Sequence, residues 1–365
     1  MRKTLSCERL SLEDRKKSPH PHGIWRKKSV QEQLVFIIGA PRSGSTLLAR
    51  MLGAHSEIHA PAEPHLLTPL AHLGYYERVD EAPYDPIISQ LGIRELVPAL
   101  PHGEADYLKA LRSYTDDLYS GLLANTGAHL LLDKTPAYAL VLDFAARLYP
   151  NARYVVLTRH PMAIWSSVIE SFFDGDHEMA HKHNPVIERY VPAIAKFLQD
   201  PPVPIHHIPY ESLVKAPEEH MRSVSEFLGI EFEASMVNYG DGQSQNAAAR
   251  GLGDPMKVAT EKRPTTGSLA KWAEQLNGRP ERVAQCRSIL NRLDDADLAT
   301  WGFSRQEIED QLAAVDPAGP RAAGPKLSRH VLERKLLLAL RRRVGENWSG
   351  RVVRRVREIC DLLLR

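Results

Sequence analysis

Glycine, arginine, lysine and glutamate recur in this chain at spacings that suit the handling of an anion. Gly39-Ala40-Pro41-Arg42-Ser43-Gly44-Ser45-Thr46 follows a short apolar run directly and precedes a segment of helical periodicity. In such a strand-to-helix turn successive backbone N–H groups converge, and the helix N-terminus adds partial positive charge. The turn is thus built for a phosphate or a similar oxyanion. Gly39, Gly44 and Thr46 keep the spacing of a GxxxxGK[ST] phosphate loop, but Ser45 stands at the lysine position and the cation is Arg42.

A kinase or NTPase uses that lysine on the β- and γ-phosphates, with an aspartate at the end of another strand helping to hold Mg²⁺. Here the apolar run Tyr154 to Leu157 ends in Thr158-Arg159-His160, a cation where the carboxylate belongs. The pattern calls for an anion met by side chains, without a metal. A P-loop kinase acting on a small molecule is the alternative reading, and a silent nucleotide-binding module is a third.

Transfer chemistry at such an anion also needs a base and groups that stabilise developing charge. "SEIHAPAEPHLLTPL" offers Glu63 and His65, and "DKTP" offers Lys134 after another expected strand. Glu63 and Lys134 together disfavour the silent module.

These residues resemble the sulfotransferases that use 3′-phosphoadenosine 5′-phosphosulfate (PAPS). "PRSGST" resembles the arginine form of their 5′-phosphosulfate loop, which implies donor-binding roles for Arg42, Ser43, Gly44, Ser45 and Thr46. "LTRHPMAIWSS" resembles their 3′-phosphate segment, implying that Arg159 and, eight positions on, Ser167 bind the ribose 3′-phosphate. Arginine suits that role, since its planar fork of donors matches phosphate. Lys134 falls where the family has a lysine at the reacting centre. "PYESLVKAP" followed by "FLGI" resembles the strand and helix before the C-terminal cofactor loop, which places Tyr210 near the adenine. "GDPMKVATEKRPTTGSLAKW" resembles that loop, with Lys257, Lys262, Arg263 and Ser268 as its polar residues.

Glu63 lies 21 residues after Arg42, where the tyrosylprotein sulfotransferases carry their catalytic glutamate. "PAEPHLL" and "GLGDP" also resemble the sulfotransferase domains of curacin-type polyketide synthases, which sulfonate a β-hydroxyl on a carrier-bound acyl chain. The resemblance implies sulfuryl transfer to a hydroxyl with Glu63 as base, His65 being the alternative, and with Arg42 and Lys134 stabilising the transferring group and the departing phosphate oxygen. An acyl chain on a carrier protein, a small secondary metabolite, a lipid and a carbohydrate are the acceptors in order of preference.

The elements that must position these residues follow from short apolar runs at Leu34 to Ile38, His129 to Leu132, Tyr154 to Leu157 and Val203 to Ile208, separated by helical or loop sequence. That alternation predicts an α/β fold, a P-loop-like parallel sheet flanked by helices. A helical insertion is expected between Pro64 and Gly127, with an amphipathic stretch at Tyr107 to Leu123. The boundaries read as a polar basic extension over 1–33, a catalytic domain over 34–315, and a linker with a basic amphipathic helical segment over 316–365.

The 365 residues, 43% hydrophobic and 25% charged, belong to an ordinary globular chain and exclude disorder, collagen and coiled coil as whole-chain readings. The net charge of +2 is uneven. Nine Lys/Arg against three Asp/Glu in residues 1–30 give +6, and twelve against four in residues 326–365 give +8, leaving −12 between. Basic ends call for an acidic partner. The C-terminal stripe Leu336, Leu337, Leu340, Val344, Val352, Val353, Val356, Ile359 and Leu363 among arginines suits an acidic carrier protein, an anionic membrane surface or its own domain. Nucleic acid is not expected, because no recognised motif accompanies the charge. Three scattered cysteines, the lack of an apolar leader and the lack of a spanning run make the cytoplasm the expected compartment.

Asp174, Asp176, His177, His181 and His183 form a polar cluster without the helix-spaced histidine pair and glutamate of a zinc site. A lid lined by Phe172 and Phe173 is the expectation there. Trp165 and Trp272 are expected to pack in the core.

Overall fold

A computed structural model describes residues 29–73, 75–76, 86–173, 175–240 and 261–320. Its sheet is parallel, with β1 (Leu34–Gly39), β2 (Ile58–His59), β3 (Leu130–Asp133), β4 (Arg153–Thr158) and β5 (Ile205–Pro209) in the order β2-β3-β1-β4-β5. All six residues of β1 are buried, as a strand covered on both faces requires. Leu34, Phe36 and Ile38 enter one hydrophobic layer and Val35 and Ile37 the other, the period-two alternation of a strand.

The helices are α1 (Val30–Gln33), α2 (Ser45–Leu52), α3 (Leu67–Ala71), α4 (Pro86–Ala99), α5 (Glu104–Leu123), α6 (Leu142–Leu148), α7 (Pro161–Phe172), α8 (His177–His183), α9 (Val186–Gln199), α10 (Tyr210–Lys215), α11 (Pro217–Leu228), α12 (Lys271–Leu276), α13 (Pro280–Leu290), α14 (Asp295–Thr300) and α15 (Arg305–Ala313). Helices α2, α10 and α11 cover the Val35 face, through Leu48, Leu213 and Met221 among others. The other face is thicker. Helices α5, α6, α7 and α9 pack against it, and α12 to α15 close over them through Leu276, Ile289, Leu298 and Ile308.

The four long strands match the expected runs to within two residues at each end. The edge strand β2 was not legible, since two residues carry no period. The expected insertion is built from α3, α4 and α5, and the amphipathic stretch is α5. Residues 1–28 of the expected extension, the segment 241–260 with Lys257, Asp174, and the basic segment from 321 onward lie outside the described residues.

The chain leaves β1 toward β3 and β2, then returns to the other side through β4 and β5, so the order reverses between β1 and β4. In open parallel sheets the crevice at the C-terminal ends of the strands flanking such a reversal is where ligands bind. The Gly39–Thr46 turn, Lys134 and Arg159 all follow the C-terminal ends of β1, β3 and β4.

Candidate active site

The turn after β1 is held by its own backbone and by close packing. The Ser43 N–H donates to the Ala40 carbonyl at 3.1 Å, and Gly44 caps α2 at φ +102°. A Cβ at Gly44 would run into the Tyr210 ring, and one at Gly39 would stand 2.6 Å from Ser43 Oγ and 3.3 Å from the Leu157 carbonyl. Only glycine therefore lets the turn lie flat against β4 and Tyr210. Arg42 takes a left-handed φ of +69° at the crest of the turn. Ser43 Oγ is buried with no hydrogen-bond partner, a donor that an oxyanion in the turn would satisfy.

Arg42, Arg159 and Ser167 form one cluster. Arg42 Nε donates to Ser167 Oγ at 3.0 Å, and Arg159 Nη1 donates to the Arg42 carbonyl at 2.9 Å. The Arg159 guanidinium carbon lies 4.3 Å over the Tyr210 ring, and its Nε is buried without a partner. Burial lowers the Arg159 pKa, the Arg42 charge adds to that, and Tyr210 and Glu211 oppose it. Two arginines joined through one backbone carbonyl, one of them with an orphaned donor, have the chemistry to meet an anion.

A second cluster lies across the turn. Lys134 Nζ pairs with Glu63 Oε1 and donates to Thr46 Oγ1 at 3.4 Å. Glu63 also faces His65, whose Nε2 is 3.3 Å from Glu63 Oε2. The Lys134 and Glu63 side chains are 10% and 14% exposed, whereas that of His65 is 42% exposed. Lys134 is thus no surface salt-bridge partner. It brings a carboxylate to the mouth of the turn.

Beneath this pair sits Asp133, a residue the sequence reading passed over although it precedes Lys134. Its carboxylate accepts from Tyr119 OH at 2.7 Å, Tyr138 OH at 3.1 Å and Thr135 Oγ1 at 3.0 Å. Burial pushes the Asp133 carboxyl up to about 6 against those three donors. Tyr138 OH in turn accepts the Leu67 N–H at 3.1 Å, tying the segment that carries Glu63 and His65 to the end of β3.

Tyr210 is 6% exposed, enclosed by Arg159 and Gly44, with its hydroxyl 2.7 Å from Ser268 Oγ. Its ring is thus packed within the protein, with the Arg159 guanidinium over one face. Ser45 is buried at the start of α2. Lys262 and Arg263 are exposed, and the Lys262 carbonyl accepts the Gly240 N–H at 3.0 Å. Trp165 and Trp272 are core residues, Trp272 stacking on His160 at 4.6 Å.

The Asp176–His183 stretch forms α8. The Asp176 side chain caps it by accepting the Met179 N–H, and His181 pairs with Glu188, which Arg292 also holds. Phe173 is buried, so of the two phenylalanines only Phe172 faces outward, 5.9 Å from the Arg42 guanidinium carbon. The α7–α8 connection is anchored by Arg282, which donates to Glu170 at 3.2 Å and to the Gly175 carbonyl at 2.5 Å. Among the described residues no helix is long and apolar enough to cross a membrane.

Residues 34–234, which contain both clusters, match the model of the sulfotransferase family. The chain belongs to that family. The nodulation protein NoeE of Sinorhizobium fredii is 31% identical over 265 residues, which are 67% of this sulfotransferase chain and 60% of NoeE. Protein-tyrosine sulfotransferase A of Caenorhabditis elegans is 26% identical over 212 residues, 56% of this chain and 52% of that protein. This sulfotransferase chain therefore spans about 60% or less of the length of these two curated relatives. Among solved structures, the sulfotransferase domain from the curacin biosynthetic pathway is 27% identical with a TM-score of 0.47, covering 70% of this chain and 96% of that one.

Proposed function

We propose that this chain transfers a sulfuryl group from PAPS to a hydroxyl, with Glu63 as the base and without a catalytic metal. The observation that carries the reading is the Glu63–Lys134 pair at Thr46, beside a turn whose cation is Arg42 and whose backbone Arg159 reaches from the end of β4. In-line transfer forms a bond from the acceptor oxygen to sulfur and breaks the bond between sulfur and the 5′-phosphate oxygen. Glu63 takes the acceptor proton. Lys134 and the N–H groups of the turn meet the charge that grows on the departing phosphate oxygen, and Arg42 meets the sulfuryl oxygens. His65 holds the second oxygen of Glu63 and orders the base.

The residues fit the donor. Ser43 Oγ and Arg159 Nε are buried donors lacking acceptors, and Gly39 and Gly44 let the turn that carries them pack against β4 and Tyr210. Arg159 and Ser167 take the 3′-phosphate in this reading, with Lys262 and Arg263 as further cofactor-binding residues. The kinase reading is not favoured, because β4 ends in Thr158-Arg159 and Ser45 replaces the lysine that a triphosphate needs.

We place the hydroxyl on a carrier-bound acyl chain or a small secondary metabolite, with the basic C-terminal segment as the dock for an acidic carrier or an anionic membrane surface. The buried free thiol of Cys286 accords with the reducing cytoplasm as its compartment. Incubation of the full chain with ³⁵S-labelled PAPS and candidate hydroxyl acceptors, with and without carrier protein, tests the reading. Calorimetry completes it: tight binding of Mg·ATP with none of adenosine 3′,5′-bisphosphate overturns it.

A further inference from the structure

We infer that Tyr210 is a positioning residue for Arg159, fixing the guanidinium plane through its ring so that the in-plane N–H groups stay available for the nucleotide 3′-phosphate. The inference rests on the sulfotransferase reading above and gives Tyr210 a role other than contact with the base.

A buried guanidinium needs compensation, because its charge has left water. The usual partner is a carboxylate, which accepts two N–H groups and neutralises the charge. Among the described residues no carboxylate lies within ion-pair distance of Arg159. Glu211 instead spends Oε1 on the His160 N–H at 2.9 Å and acts on Arg159 only at longer range. What covers Arg159 is the face of Tyr210, 4.3 Å from the guanidinium carbon. A ring face attracts the cation through its quadrupole and orients its plane, yet takes up no N–H and cancels no charge. The in-plane donors show that economy: Nη1 goes to the Arg42 carbonyl and Nε is buried with no partner. An ion pair at this place would have made Arg159 a poorer phosphate ligand.

Tyr210 is itself held on three sides. It starts α10 directly after β5, the strand paired with β4 that delivers Arg159. Its ring abuts Gly44 of the phosphate turn, and its hydroxyl meets Ser268 Oγ at 2.7 Å. The ring that orients the 3′-phosphate arginine therefore also touches the turn for the 5′-phosphosulfate, which keeps the two anion subsites in fixed relation.

The test compares adenosine 3′,5′-bisphosphate with adenosine 5′-phosphate by calorimetry on the full chain, so no acceptor is needed. Wild type is expected to prefer the bisphosphate. Tyr210→Phe keeps the ring face and should keep that preference within about twofold. Tyr210→Leu should lose about tenfold of it, the scale of a desolvated cation–π contact. Pentafluorophenylalanine introduced at Tyr210 keeps the ring's shape but reverses its quadrupole, and should lose the preference like leucine even where the leucine variant fails to fold. A purely structural role would lower both affinities together and leave their ratio alone. A pentafluoro variant with the wild-type ratio overturns the inference while the sulfotransferase reading stands. Absence of any preference in wild type overturns the reading itself, and this inference with it.

Discussion

Glu63 and Lys134, 71 residues apart in the chain, meet as a shielded ion pair at the mouth of the turn that carries Arg42. Each depends on the other. Lys134 stands at the end of a buried strand, where an unpaired ammonium is costly, and Glu63 sits on an irregular segment that only its partners fix in place. In the proposed mechanism the pair thus joins catalytic geometry to stability.

Glu63→Gln keeps side-chain volume and one hydrogen-bond acceptor toward Lys134 but removes the base. Sulfuryl transfer is expected to fall by about 10²- to 10⁴-fold. Affinity for adenosine 3′,5′-bisphosphate should stay within a few-fold of wild type, since the proposed role of Glu63 is toward the acceptor and not the nucleotide. Single-turnover rates with labelled donor, read beside calorimetry, separate the two effects. Unchanged turnover removes Glu63 from the mechanism and leaves His65 as the candidate base.

Gly44→Ala probes the turn itself. The φ of +102° excludes most L side chains, and the new methyl would collide with the Tyr210 ring. A destabilisation of about 1 to 3 kcal/mol is expected from the forced backbone conformation, together with at least tenfold weaker binding of adenosine 3′,5′-bisphosphate. Denaturant titration and calorimetry read both. Normal nucleotide affinity in a folded variant would show that the turn does not hold the ligand.

The parts of this site differ in how legible they were, for physical reasons. Strands β1 and β4 are covered on both faces and so read as unbroken apolar runs, and the turn after β1 carries local glycine spacing that needs no tertiary information. Glu63, Lys134 and Arg159 stand in local motifs, but the pairing of Glu63 with Lys134 was not visible, because it depends on β2 lying beside β3. Asp133 was missed since the hydroxyls that hold it come from α5, from the 3₁₀ turn Pro136–Leu140 and from Thr135, with no common spacing. Arg282 was missed for the same reason. Its partners Glu170 and Gly175 lie more than a hundred residues earlier, and helix α13 has no motif to mark it.

Arg282→Met should release that anchor. The side chain is 10% exposed and its loss leaves Glu170 with Arg279 at 3.8 Å as a weaker partner. A loss of about 1 to 3 kcal/mol is expected, below that for a fully buried pair because Glu170 is 26% exposed and keeps Arg279. Adding Glu170→Gln should recover part of it, because the stranded carboxylate is then gone. Hydrogen exchange in peptides spanning the α7–α8 connection should rise in the single variant while the β1 and β4 peptides stay protected. Equal exchange in both regions would mean that Arg282 does not fasten this connection.

Two buried groups give the fold opposite responses to acid. His160 stacks on Trp272, and burial holds its pKa down at about 4. The unfolded chain takes up that proton near pH 6.5, so the stability from neutral His160 is present above pH 6.5 and is lost as pH falls toward 4. Asp133 works the other way. Its carboxyl, raised to about 6, keeps a proton that the unfolded chain has released by about pH 4, so its contribution is present below pH 4 and is lost as pH rises through 6. Between pH 4 and 6 the two slopes have opposite sign and largely cancel. His160→Phe keeps an aromatic ring against Trp272 and removes one slope, so its unfolding free energy should decline as pH rises from 4 to 6 when compared with wild type. Asp133→Asn should show the reverse trend. Urea titrations of the three proteins at several pH values measure this directly, and parallel curves would mean that neither group is held away from its ordinary pKa.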